Sequence, residues 1–192
     1  MSEKSVVVSP EAEFNTADYR PLGARDVDHL KNMARKSPRD RYRVCLHAEH
    51  THLTQEMVIC LRGFTYFPPH RHPGNRSESY HMIEGRMDVY LFDDRGELLD
   101  VVRLAAPQAA GGEGRDFMYR LSVPLYHLMV PRAEWTIYHE VLTGPWSKDG
   151  VVQNAPFAPT EGEDEAVEEY VRQVTGLAPD ILAGWGTRGE KS

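Results

Sequence analysis

The residues best equipped for chemistry sit in one stretch, GFTYFPPHRHPGNRSESYHMIEG, at residues 63–85. It carries His70 and His72 as an H-x-H pair, then Glu78 beyond a Pro73-Gly74 turn signal. In an extended strand residues i and i+2 point to one face, so the two imidazoles stand side by side. A turn at Pro73-Gly74 folds the chain back and lets Glu78 bring a carboxylate oxygen to the same point. His127, in VPLYHLMV, is a candidate fourth ligand from a distant strand. Imidazole nitrogens with one carboxylate oxygen suit Fe(II), Zn, Mn, Ni or Cu better than Mg or Ca. Neutral imidazole binds metal and imidazolium does not, so occupancy should fall as pH drops through the histidine range. An H-x-H pair alone reads equally well as two polar surface residues. The following turn, glutamate and Gly85, inside a strand-rich chain with a distant histidine, favour ligation.

The elements that must position these groups are short and extended. From Tyr42 onward, RVCLHA, EMVICLRGFTYF, SYHMIEG, MDVYLFD, LLDVVRLA, FMYRLSV, HLMV and WTIYHEVL are rich in β-branched and aromatic residues. Turn signals separate them, among them Asp93-Asp94-Arg95-Gly96, which predicts a hairpin. About eight strands with no long helix between them predict an all-β sandwich or barrel. A helix is predicted over residues 26–35 from Val27, Leu30, Met33 and Ala34, stopped by Ser37-Pro38. A second is predicted over 165–174 from Ala166, Val167, Tyr170, Val171 and Val174. The expected organisation is an N-terminal arm at 1–20 whose valines add an edge strand, a barrel with its helix at 21–163, and a C-terminal helix and tail at 164–192.

Composition narrows the function classes. At 192 residues the chain suits one domain, and 41% hydrophobic with 27% charged residues is globular rather than disordered. A net charge of -7 argues against a general nucleic-acid binder. No apolar run approaches the ~18 residues of a membrane span, and the three valines at 6–8 are too few for a signal-peptide core. A cytoplasmic protein is expected, with Cys45 and Cys60 as reduced, buried thiols.

Other residues qualify as neighbours of the histidine group. Tyr66, Tyr80, Met82 and Met129 have the parity to line a barrel interior, as core or as a pocket wall. Arg39, Arg41 and Arg43 belong to a basic run, either a solvated helix end or an anion site. Arg71 should point away from the histidines beside it. His50 and His52 form a second H-x-H, but polar flanks predict a surface loop. His139, in WTIYHEVL, reads first as a satisfied strand histidine; the lesser reading is that it or Glu140 supports the ligands or moves a proton. Gly111-Gly112-Glu113-Gly114 lacks the helix start of a dinucleotide loop, and no G-x-S-x-G or Cys-His pair suggests a covalent nucleophile.

Gly63, His70, His72, Glu78 and Gly85 fall in the order of the first cupin motif, with two of the gaps one residue longer than usual. Pro124 and His127 stand for part of the second motif, Pro124 where glycine is usual. The chain resembles the cupins. It is most similar to WbuC-like cupin metalloproteins of bacterial polysaccharide gene sets, through SPRDRYRVCLH, PHRHP, IEGRMDVYLFDDRGE, EVLTGPW and FAPTEGED, over roughly residues 24–175. The resemblance implies a cupin double-stranded β-helix, a jelly-roll-like barrel with short helices at both ends. It implies one divalent transition metal on His70, His72, Glu78 and His127; the mostly histidine donor set with one glutamate favours Fe(II) over Zn, Mn, Ni or Cu. The site suits a small-molecule metalloenzyme, oxygenase-type by its donors or, by the polysaccharide association of similar proteins, a sugar isomerase or epimerase; the alternative is a non-catalytic metal-dependent binding or sensor protein. A homodimer is expected by the same resemblance, with no nucleic-acid or membrane partner, and no catalytic residue is assigned.

Overall fold

A short tight turn needs an unusual backbone angle, and the turn glycines of this chain mark where its strands reverse. The computed structural model describes residues 5–147 and 150–176. In chain order the elements are β1 (Ser5–Ser9), β2 (Ala12–Asn15), α1 (Ala24–Lys36), β3 (Arg41–Cys45), β4 (Thr54–Arg62), β5 (His70–Arg71), β6 (Glu78–Glu84) and β7 (Arg86–Phe92). There follow β8 (Leu98–Ala105), β9 (Met118–Leu121), β10 (Tyr126–Pro131), β11 (Trp135–Thr143), β12 (Gln153–Asn154) and α2 (Asp164–Thr175).

The strands form two sheets, ordered β1-β2-β3-β4-β11-β6-β9 and β12-β5-β10-β7-β8. From β4 to β11, the eight strands lie first–eighth–third–sixth in one sheet and second–seventh–fourth–fifth in the other. That order is the jelly roll, the double-stranded β-helix. The fold is therefore all-β, a jelly-roll barrel with a short helix near each end. Beyond the eight anticipated strands it has a hairpin at residues 5–15, where the arm was expected, and the two-residue strands β5 and β12. β2 joins β3 in parallel. The tail at 177–192 and residues 1–4 lie outside the described residues. Among the described residues no helix is long and apolar enough to cross a membrane.

Strand alternation divides the apolar residues into three clusters. Leu61, Tyr80, Met82, Val89, Met129 and Tyr138 fill the space between the sheets. On the outer face of the larger sheet, Val44, Val58 and Ile137 meet Leu30 and Ala34 of α1. On the outer face of the smaller sheet, Tyr90, Phe92 and Leu128 meet Val167 and Val171 of α2. Each helix thus buries one apolar stripe against a sheet. Asp26 accepts from the Gly23 N–H at 2.9 Å at the start of α1, and Gly176 closes α2 in the left-handed region at φ 63°.

Gly85 shows how tightly one reversal is specified. It joins β6 to β7 at φ 76°, and a Cβ there would lie 2.0 Å from the Trp135 carbonyl oxygen. Both the angle and the contact exclude a side chain. Gly85→Ala should lower unfolding stability by about 2 kcal/mol or more in urea titrations. An unchanged midpoint would show that the β6–β7 reversal tolerates a side chain.

Candidate metal centre

The histidine group is assembled by register. His70 of β5 lies directly across from His127 of β10, so cross-strand pairing brings these two rings together with centroids 4.4 Å apart. His72 follows in the connection to β6, its ring 5.2 Å from His70 and 5.6 Å from His127. Glu78 opens β6 in the opposite sheet, paired with Leu142 and Leu121. The group thus bridges the two sheets at one end of the interior. One ligand atom from each of His70, His72, Glu78 and His127 lies within 4.8 Å of all the others. His72, Glu78 and His127 are buried, whereas His70 is partly open to solvent.

Backbone carbonyls orient all three rings. His70 Nδ1 meets Pro68 O at 3.1 Å, His72 Nδ1 meets Val151 O at 2.7 Å, and His127 Nδ1 meets Leu125 O at 3.3 Å. A carbonyl oxygen only accepts, so each Nδ1 carries the hydrogen and each Nε2 is turned to the shared centre. This is the arrangement by which histidine ligands are commonly fixed. Glu78 Oε1 lies 3.0 Å from His72 Nε2. Its Oε2 lies 3.1 Å from His127 Nε2, but without hydrogen-bonding geometry, and both of these buried atoms lack a partner. A carboxylate oxygen and a ring nitrogen 3.1 Å apart in a buried site are a fit for a cation between them, a proton or a metal ion. Three nitrogens with one carboxylate are a donor set for a divalent transition metal.

The electrostatics agree with that geometry. Burial would raise Glu78, but His127 and His72 beside it outweigh burial and hold the carboxyl well below its usual range. Burial would lower His72, but its hydrogen bond to Glu78 and the charge there lift it above the ordinary value. Burial, then His127, push His70 well below the usual histidine range. Metal-free, His72 donates from both nitrogens and forms an ion pair with Glu78, so a cation entering the centre must displace that proton. The pair stabilises the metal-free fold fully between the ordinary values of 4.5 for Glu78 and 6.5 for His72. The contribution is lost as pH falls through the lowered Glu78 value or rises through the raised His72 value.

The remaining candidates separate. Tyr80, Met82 and Met129 belong to the interior cluster between the sheets. Tyr66 does not join them. Residues 63–69 are not a strand, so strand parity does not govern the ring, which turns outward into the cluster under α2. Its hydroxyl donates to Pro159 O at 2.9 Å. Arg39 and Arg41 both pair with Glu11 and Glu161, so the anions that meet them belong to this chain. Arg43 is exposed and stands apart from that network. Arg71 turns outward, stacks on Tyr126 and binds Asp94. His139 is also outward, stacked on His81.

Two residues deserve a place in the site that their spacing alone does not give them. Tyr119 lies opposite Tyr80 on β9, and its buried hydroxyl has no hydrogen-bond partner among the described residues. Glu140 lies opposite Tyr80 on β11, on the interior face and outside the ligand group. Burial, then the charge of Glu78, raise its carboxyl to about 8. Glu140 was named from the sequence together with His139, and register in β11 separates the two; Tyr119 carries no motif. Cys45 and Cys60 are free thiols, buried as expected.

A family model described as a domain of unknown function (DUF6016) matches residues 22–104. That span holds α1 and three of the four ligand residues, with His127 beyond it. No curated protein matches the chain. Solved structures similar to it include oxalate oxidase in complex with the substrate analogue glycolate, at 13% identity over 80% of this chain and 76% of that one, with a TM-score of 0.45. Oxalate decarboxylase from Bacillus subtilis is similar at 13% identity over 78% of this chain and 35% of that one, TM-score 0.44. The cupin domain of Schizosaccharomyces pombe Cnp3 is similar at 10% identity over 54% and 64%, TM-score 0.40. The fold assignment rests on the strand order, not on these likenesses.

Ring-nitrogen NMR of the metal-free protein should find Nδ1 protonated at His70 and His127. His72 should remain doubly protonated above pH 6.5, its ordinary value. Glu78→Gln should bring the His72 transition down in pH, because the opposing charge is gone and burial remains. An Nε2–H tautomer at His70 or His127, or no response of His72 to Glu78→Gln, would contradict the arrangement.

Proposed function

We propose that this protein binds one divalent transition-metal ion through His70, His72, Glu78 and His127 and acts as a metal-dependent enzyme on a small molecule. The observation that carries the reading is the anchoring of three Nδ1–H groups by backbone carbonyls, which aims three Nε2 atoms and one carboxylate at a common centre. Fe(II) is the favoured ion, with Zn, Mn, Ni or Cu as alternatives that the same donors accept. When bound, the ion would supply Lewis acidity, and as Fe(II) also redox chemistry with O2.

The chain's own residues take the other roles. His70, the ligand most open to solvent, marks the approach to the centre. Glu140, beside the ligands and holding its proton near neutral pH, suits proton transfer to or from a bound molecule. Tyr80 and Tyr119 offer phenolic hydroxyls in the same interior. These features favour an enzyme, oxygenase-type or a sugar isomerase or epimerase, over a carrier or sensor. The WbuC-like resemblance supports a role in bacterial polysaccharide synthesis and a homodimer. Two free buried thiols and an acidic chain support a cytoplasmic setting without nucleic-acid partners.

Protein purified without a histidine tag should hold close to one equivalent of transition metal or take it up on reconstitution. His72→Ala should weaken metal binding by at least ~100-fold, beyond the effect of losing an outer hydrogen-bond partner. Metal at 1,000 times its Kd should stabilise the wild-type fold by about 4 kcal/mol and the variant far less. Absence of uptake by well-folded wild-type protein would end this reading. O2 consumption by the Fe(II)-loaded protein across a panel of small hydroxylated substrates tests the oxygenase branch.

A further inference from the structure

The outer face of the smaller sheet gathers four arginines around a single acid. Along β7, Tyr90 and Phe92 face outward into the cluster under α2, so alternation places Arg86 and Asp88 on that outer face as well. Arg103 of β8 lies directly across from Asp88. Arg132, just past β10, donates its backbone N–H to Arg86 O at 2.8 Å. Arg115 comes from the connection between β8 and β9, where its neighbour Asp116 bridges to Leu104. Asp88 is buried, and two arginines hold one of its oxygens each. Arg115 Nη1 donates to Oδ1 at 2.6 Å, and Arg132 Nε donates to Oδ2 at 2.7 Å. Arg132 Nη2 also donates to the Tyr90 hydroxyl at 2.6 Å.

This network is short of anions. Among the described residues no carboxylate besides Asp88 forms an ion pair with any of the four arginines. Four guanidinium charges against one carboxylate leave +3 locally, in a chain whose net charge is -7. Arg103 is exposed and has neither an ion pair nor a side-chain hydrogen bond among the described residues. Burial raises the Tyr90 phenol against the opposing charges of Arg132 and Arg103, so the Arg103 guanidinium lies near enough to act there. Arg86 is partly exposed and makes one long bond, from Nη1 to Gly111 O at 3.4 Å. Arg115 Nε and Nη2 and Arg132 Nη1 have no hydrogen-bond partner among the described residues and are not buried. These donors stand open to water on a sheet face, so a ligand reaches them without a cavity.

We propose that Arg86, Arg103, Arg115 and Arg132 bind a small phosphate-bearing molecule on this face, with Asp88 as the group that holds two of the guanidiniums in position. A phosphate ester carries a charge of about -2 and three acceptor oxygens, so donors arriving from different strands can each find an oxygen. A carboxylate has a single charge and two oxygens, and would leave more of the local excess unmatched. Arg115 and Arg132 are already tied to Asp88, so less side-chain freedom is lost when they take a ligand. The excess charge is confined to these few residues while the chain as a whole is acidic. That favours a compact anion over a long polyanion such as a nucleic acid. His127 lies opposite Leu91 on the inner face of the same sheet, so the arginine group is on the far side from the histidines and does not depend on the metal-binding reading.

Amide NMR of the full-length protein provides the test. It is titrated at constant ionic strength with pyrophosphate, inorganic phosphate, acetate and a short oligothymidylate. Pyrophosphate should shift the amides around Asp88, Arg103 and Arg115 saturably, and inorganic phosphate should shift the same amides. Acetate should bind at least ~10-fold more weakly than pyrophosphate. Arg103→Gln removes an exposed side chain without internal bonds, so the fold should stand while the pyrophosphate Kd rises about fivefold or more. Arg95→Gln, which removes an exposed arginine from the turn between β7 and β8, should leave that Kd unchanged. No saturable shift, shifts confined to the histidine group, acetate matching the phosphates, or Arg103→Gln behaving like Arg95→Gln would overturn the proposal. Oligothymidylate binding more tightly than pyrophosphate would overturn it in favour of a nucleic-acid surface.

Discussion

Three carbonyl oxygens decide what the histidines of this barrel can do. An imidazole can present either nitrogen, and two of the three rings are buried, where a wrong choice leaves a polar atom stranded. Pro68, Val151 and Leu125 each take an Nδ1–H, and the choice is made before any ion arrives. The remaining nitrogens then face a glutamate that would otherwise be costly to bury. The cluster is pre-organised for a cation, and the proton shared with His72 holds it together meanwhile.

The barrel supplies this arrangement by combining two sheets. His70 and His127 come from adjacent strands of the smaller sheet, and Glu78 comes from the larger one. Neither sheet alone carries the full set. The β5–β6 connection, which holds His72, carries the chain from the smaller sheet to the larger one between His70 and Glu78. A slip of one residue in β10 would turn His127 outward and put Leu128 in its place. The site is thus as well specified as the pairing of His127 with both His70 and Leu91. The outer clusters under α1 and α2 help to fix that pairing from behind.

Much of this was legible from residue order. The H-x-H spacing, the turn, Glu78 and the distant His127 carried the ligand group, and apolar periodicity carried both helices to within two residues at either end. Inward parity was right for Tyr80, Met82 and Met129 because each lies within a regular strand. It failed for Tyr66 because the chain around it is irregular, so alternation has no meaning there. The anion site read from Arg39, Arg41 and Arg43 could not be resolved locally. Their carboxylate partners, Glu11 and Glu161, lie far away in the chain on both sides. The carbonyls that fix the rings leave no trace in side-chain identity at all, since every residue has one. Glu140 was visible only as one of two adjacent candidates, and register separated it from outward-facing His139.

One carbonyl has a consequence for how the domain can be cut. Val151 comes after β11, the last strand of the jelly roll, yet it orients His72. β12 then pairs with β5, beside His70. A truncation at Thr143 would keep all four ligand side chains and all eight roll strands, and would still discard a tautomer lock. The minimal barrel, judged by strand count, and the minimal His/Glu cluster, judged by protonation, therefore have different C-terminal boundaries.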